Sequence, residues 1–225
     1  GASSGIGAST AKKFSQYGAK LILLGRNKDT LNEVLKGLEN KNSHTVVECD
    51  LSNDDEAFNV INNLSKEDLP LNGAFHAAGN ELIKPIGLIK NKDFKDNFSS
   101  SVSSALSMSR AFFKSKIMNN DSSVVFMSSV AAITGTPGLS AYSATKSALT
   151  GLTKSLAVEF ANRKIRFNTI LSGAVKTPMH DRILGKLSIE AISEYELKHP
   201  LGFGCPEDIA SLATFLMSDA SKWIT

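Results

Sequence analysis

The chain has 225 residues, 42% hydrophobic and 21% charged; this is the composition of an ordinary globular domain and excludes a wholly disordered or collagen-like chain. A net charge of +3 without a basic run argues against nucleic acid as the main partner. No stretch approaches the roughly 20 apolar residues of a membrane span, no secretory leader is visible, and two cysteines are too few for a disulfide framework, so the sequence reads as cytoplasmic with no membrane partner.

The chain opens Gly-Ala-Ser-Ser-Gly-Ile-Gly. Glycines at 1, 5 and 7 permit a tight turn and let backbone N–H groups approach a pyrophosphate, and a helix predicted over about 5–17 adds the positive end of its dipole. The candidate contacts are Gly1, Ser3, Ser4, Gly5, Ile6 and Gly7. By itself the motif fits a plain glycine-rich turn equally well. A strand predicted over 20–25 runs into Arg26, where an acid would bond an adenosine 2′-hydroxyl. Here Gly25 leaves room and Arg26 offers a cation suited to a 2′-phosphate; the alternative is a solvated surface arginine.

Further along, helices are predicted over about 28–39, 53–67, 92–119 and 139–163, and strands over 44–50, 71–76, 123–129 and 165–171. The strand runs are nearly continuously apolar, as expected of strands covered on both faces, and their alternation with helices implies a doubly wound parallel α/β sheet in a single domain spanning 1–225. Asp50 and Leu51 close one strand, and His76, Ala77, Ala78 and Gly79 close the next, where small residues let a flat ring lie close. In the 92–119 helix Phe94, Phe98, Val102, Ala105, Phe112 and Phe113 recur on one face, a core or subunit-interface stripe.

Tyr142 and Lys146 lie four residues apart in a helical segment and share one face. Ser129, thirteen residues before Tyr142, ends a strand. A phenol has an ordinary pKa near 10, and a neighbouring ammonium lowers it. With a serine to hold the substrate oxygen, the set suits protonation of an alkoxide as hydride reaches its carbon. Alone a Tyr-x-x-x-Lys pair is common; with Ser129 and the glycine-rich opening it points to chemistry. After Leu171, residues 172–205 are rich in glycine and proline around a polar helical stretch, with 178–205 a candidate lid, and a helix is predicted over 206–219 with Pro206 at its first position.

These motifs together resemble the classical short-chain dehydrogenase/reductase family, in the style of 3-oxoacyl-(acyl carrier protein) reductases. The resemblance runs from the opening Gly1–Gly7 turn through Asp50, His76–Gly79, Ser129, Tyr142, Lys146, Arg166-Phe167-Asn168, Ser172-Gly173 and Thr177 to Pro206-Glu207-Asp208. It implies an NADP(H)-dependent oxidoreductase, with NAD(H) as the alternative, that reduces a ketone or 3-oxoacyl carbonyl, free or carrier-bound. In this reading Tyr142 is the general acid/base, Lys146 binds the nicotinamide ribose and lowers the tyrosine pKa, Ser129 orients substrate, and Gly173, Val175 and Thr177 lie against the nicotinamide. A homodimer or homotetramer is also implied. A nucleotide-binding scaffold of the same fold with little catalysis is the alternative.

The sequence departs from the family pattern at four places. The asparagine expected in the long helix, part of a water-linked proton relay, falls at Ser101 rather than Asn97. His76 replaces the first Asn of an Asn-Asn-Ala-Gly element and is expected to bond structurally. Ser172 replaces a proline. The family's first and last strands are expected to lie outside this chain. His44, His180 and His199 show no metal-ligand spacing, so no metal is expected.

Overall fold

The computed structural model describes residues 1–64, 70–115 and 117–225. Helix α1 (Gly5–Gln16) starts where Gly5, at φ 51°, turns the chain out of an extended Ser4. Strand β1 (Ile22–Gly25) leads to α2 (Lys28–Lys36), whose cap Asn27 accepts from the Thr30 N–H. Then come β2 (Thr45–Glu48) and α3 (Asp54–Leu64), the latter with Asp54, Asp55 and Glu56 at its positive end. After β3 (Leu71–His76), the long helical region is α4 (Asn91–Phe98), a π-helical segment Ser99–Ser103 and α5 (Ser104–Ser115). Strand β4 (Met118–Ser129), α6 (Ser140–Glu159) and β5 (Arg166–Ser172) follow. The chain continues with α7 (Pro178–Leu184), α8 (Ile189–Leu197) and α9 (Pro206–Met217).

All strand pairs are parallel, β1 with β2 and, in a second set, β3-β4-β5. The expected sheet is thus two parallel sets among the described residues. Gly1 and Ala2 both donate to the Leu24 carbonyl. A Cβ on Gly1 would stand 2.5 Å from the Ala77 carbonyl carbon, so the opening residues lie between the ends of β1 and β3.

Strand β4 shows why its apolar run is continuous. Val124 and Phe126 pack with α3, α5 and α6, whereas Val125 and Met127 pack with Ala213 and Leu216 of α9 and Ile6 and Phe14 of α1. Both faces are therefore buried, each large side chain contributing roughly 1.5–3 kcal/mol.

Two expected elements are revised. The helix expected over 92–119 yields to β4 by Met118, because Asn119, Asn120 and Asp121 favour local side-chain bonding over helix and Asp121 takes a left-handed φ of 61°. Its apolar stripe also splits: Val102, Ala105 and Phe112 are buried, but Phe113, one residue and about 100° further round, is exposed. The irregular 172–205 segment contains two short helices, α7 and α8, capped by Thr177 and Ser188. Of the helix expected over 53–67, residues 65–67 lie outside the described residues.

Candidate active site

The carboxyl ends of β1, β2, β3, β4 and β5 open into a cavity of about 930 Å³, the place where open α/β sheets bind ligands. Gly1, Ser3, Ser4, Gly5, Ile6, Gly7, Arg26, Asp50 and Leu51 border its first part. Ala77, Ala78 and Gly79, with Ser129, Tyr142 and Lys146, border its middle, facing Gly173, Val175 and Thr177. Ser101 is the one expected site residue outside this lining: it is buried behind Gly79, whose Cβ, if it had one, would stand 2.7 Å from the Ser101 hydroxyl and 3.4 Å from the Lys146 ammonium.

Sequence-distant groups meet here because α6 is fastened to the end of β4. The Ser128 hydroxyl donates to the Lys146 carbonyl (2.9 Å), the Lys146 ammonium donates to the Met127 carbonyl (3.1 Å), and the Ser147 hydroxyl donates to the Ala132 carbonyl (2.8 Å). Ser129 pairs in register with Ser172, so both stand at the same edge of the sheet. The Ser129 hydroxyl accepts from the Ala131 N–H (3.2 Å) and is near enough to the Tyr142 phenol to draw its pKa down, and the Lys146 ammonium lies 5.6 Å from the Tyr142 ring centre.

The glycines at the opening are sterically required. A Cβ on Gly7 would fall 1.9 Å from the Gly1 carbonyl oxygen, and one on Gly5 would touch the Thr177 side chain at 3.2 Å. The first turn of α1 carries no acid and its Ser4 cap makes no side-chain bond, leaving the positive helix end clear toward the cavity.

Comparison with known proteins settles the family. The family model described as enoyl-(acyl carrier protein) reductase matches residues 1–225. The 3-oxoacyl-(acyl carrier protein) reductase of Rickettsia conorii is 34% identical over 226 residues, covering 100% of this chain and 90% of that protein. The chain belongs to the classical short-chain dehydrogenase/reductase family. Members of this family are oxidoreductases acting on CH–OH groups with NAD(P), and so is this chain. A short-chain dehydrogenase/reductase from Brucella melitensis superposes with a TM-score of 0.89 at 27% identity, covering 100% of this chain and 89% of the other. A protein from Beutenbergia cavernae, described as an NAD(P)-dependent gluconate 5-dehydrogenase with NADP bound at low occupancy, matches at TM-score 0.89 and 26% identity with the same coverages.

In this dehydrogenase/reductase the electrostatics depart from one expectation. Tyr142 is pushed above the ordinary phenol value, first by burial and further by Tyr195 and Glu81; the neighbouring Ser129 hydroxyl acts the other way. Ser129, rather than Lys146, is the neighbour that draws the phenol down. Burial lowers Lys146 from 10.5 to about 8. Asp50 is held below the carboxylate range, chiefly by the Ser52 hydroxyl, which donates to it at 2.7 Å. His76 pairs with the Ser104 hydroxyl (2.8 Å), lies edge-on to Phe126, and is lowered to about 3, mainly by burial.

The far end of the cavity holds residues the sequence did not single out for the site. Arg182 of α7 bonds both carboxylate oxygens of Glu81 from Nε and Nη2, each at 3.1 Å. His180, Tyr195, His199 and Phe203 form an aromatic cluster with ring centres 4.6–6.1 Å apart. The His199 Nδ1–H donates to the Tyr195 carbonyl (2.9 Å) while its Nε2 accepts from the Ala174 N–H (3.1 Å), so two backbone groups fix a neutral tautomer and tie α8 to the loop after β5. The four-residue spacing of Tyr195 and His199 was a usable signal; Glu81 and Arg182 carried none. Among the described residues no three metal-ligating side chains gather, and no helix is long and apolar enough to cross a membrane.

Proposed function

We propose that this chain reduces a ketone of the 3-oxoacyl type to the alcohol, or runs the reverse, with NADP(H) and a Ser129–Tyr142–Lys146 site. The observation that carries the reading is the meeting of Ser129, Tyr142 and Lys146 on one cavity at the carboxyl edge of the sheet, with the Lys146 ammonium 5.6 Å from the centre of the Tyr142 ring.

The residues present fit a dinucleotide. Gly1, Ser3, Ser4, Gly5, Ile6 and Gly7 form a cradle that side chains would fill, at a helix N-terminus, for the pyrophosphate. Arg26, exposed at the cavity rim, would take a 2′-phosphate; NAD(H) binds the same cradle without that contact. Asp50 and Leu51 would flank the adenine, Ala77, Ala78 and Gly79 would underlie the ribose, and Gly173, Val175 and Thr177 would position the nicotinamide. The reduced nicotinamide supplies hydride.

The protein's own part is to bind, orient and move one proton. The Ser129 hydroxyl donates to the substrate carbonyl oxygen and draws it toward Tyr142. The Tyr142 phenol donates its proton to that oxygen as negative charge develops there. Lys146, mostly protonated at neutral pH, would hold the ribose hydroxyls, and the Ser129 hydroxyl stabilises the phenolate that remains. Segment 178–205 acts as a lid that excludes water. Exposed Leu106, Phe113 and Val158 on α5 and α6 support self-association through that face.

Replacing Tyr142 by Phe tests this. NADPH-dependent reduction of a 3-oxo ester should fall by a factor on the order of 10²–10⁴ while NADPH still binds. Full activity in the variant defeats the assigned chemistry. Tight NADPH binding by the wild type without turnover of any ketone favours the scaffold instead.

A further inference from the structure

Buried polar atoms without a partner are costly, and most of those among the described residues lie away from the cavity. Thr10, His76, Asn97, Ser101, Thr145 and Thr150 each carry one, as does Nε2 of His180. Of these residues only His180 borders the cavity. It is 4% exposed. A hydroxyl proton can swing to a nearby carbonyl, but an imidazole cannot re-aim without moving its ring. That ring is held. Its backbone N–H donates to the Thr177 hydroxyl (3.2 Å) at the start of α7, and Phe203 packs edge-on against it at 4.6 Å with Tyr195 at 6.1 Å.

We propose that His180 is a specificity-determining residue, whose Nε2 hydrogen-bonds a second, uncharged oxygen of the carbonyl substrate, either an acyl (ester or thioester) oxygen or a hydroxyl. The inference rests on the reductase reading above and narrows its substrate class. Burial, the foremost cause, lowers the His180 pKa, Asp181 opposes it, and the charge of Lys176 lowers it further. The ring is therefore neutral at neutral pH and serves a neutral oxygen better than a carboxylate. Met179, Ile183 and Leu187, which also line this end, leave an alkyl portion in apolar surroundings. Without a second oxygen, a substrate leaves Nε2 unpaired in the closed complex, and the site discriminates against it.

The test compares three ketones of equal chain length with NADPH: a 3-oxo ester, an alkan-2-one and a hydroxyketone. The readout is the ratio of kcat/KM for each oxygenated ketone to that for the alkan-2-one, in wild type, His180→Phe and His180→Gln. In His180→Phe the ratio should fall about tenfold or more for at least one oxygenated ketone, mainly through KM, and His180→Gln should restore part of it. The ketone whose ratio falls identifies the oxygen as acyl or hydroxyl. His180→Phe should also melt at the same or a higher temperature, because an unpaired buried nitrogen is removed. Ratios unchanged in a folded His180→Phe that still binds NADPH overturn the inference and leave the reductase reading standing. A wild type that reduces none of the three while Tyr142→Phe behaves identically sinks both.

Discussion

Arg182 and Glu81, 101 residues apart in sequence, form a two-pronged ion pair at the far end of the cavity, with both N–O distances 3.1 Å. Glu81 belongs to the loop after β3, and its side chain is 15% exposed; Arg182 sits on α7 at 55%. The pair clips the 178–205 segment onto the body of the protein. Because the arginine is more than half exposed, the pair contributes only about 0–1 kcal/mol to stability. Its larger consequence is on Tyr142, whose pKa the Glu81 carboxylate helps to raise. Glu81→Gln should therefore shift the alkaline fall of the reduction rate to lower pH, since a phenol that ionises earlier ceases to be an acid earlier. It should also raise the substrate KM a few-fold, as the clip is lost. A pH–rate profile and a thermal melt check this; an unmoved alkaline limb in the folded variant contradicts it.

Arg26 stands at the rim with Gly25 buried beside it, and a Cβ on Gly25 would meet Leu31 at 3.2 Å. Arg26→Asp should change preference from NADP(H) toward NAD(H) by about tenfold or more in kcat/KM, through loss of a charge-assisted bond and introduction of repulsion. Steady-state kinetics with both cofactors decides it, and equal discrimination before and after refutes the role.

Gly79 separates Ser101 from Lys146. A Cβ there would come within 2.7 Å of the Ser101 hydroxyl. Gly79→Ala should destabilise the protein by about 1–3 kcal/mol and depress turnover, because the Ser101 hydroxyl must move and a φ of 156° strains any residue with a Cβ. Ser101→Asn puts an amide where the hydroxyl has no partner. If that hydroxyl limits proton supply to Lys146, turnover rises; unchanged turnover in a folded variant takes Ser101 out of the proton path. Denaturant melts and single-turnover kinetics separate the two effects.

His76 and Lys146 give stability a defined pH dependence. His76 has a folded value of about 3 against 6.5, so the unfolded chain binds the proton more readily. Its contribution is intact above pH 6.5 and is lost as pH falls toward 3, by an amount on the order of a few kcal/mol. Lys146, at about 8 against 10.5, is a charged group buried at a cost, so stability rises with pH between those values. Urea melts across pH should show His76→Asn flatter than wild type below pH 6.5 and Lys146→Met flatter above pH 8. Parallel curves would show that burial leaves these groups untouched.

The sequence by itself determined most of the elements and much of what gathers at the cavity. The glycine spacing at the opening, the continuous apolar strands and the Tyr142–Lys146 helix spacing are local, and local backbone geometry fixes what they can form. The tertiary structure alone decided how α6 is fastened to β4 through Ser128 and Met127, which neighbour tunes Tyr142, and that Ser101 is shut behind Gly79. It alone brought Glu81 to Arg182 and His180 into the wall of Phe203 and Tyr195. Those relationships depend on packing between distant segments, and burial, which sets the energies of these polar groups, exists only once the layers have assembled.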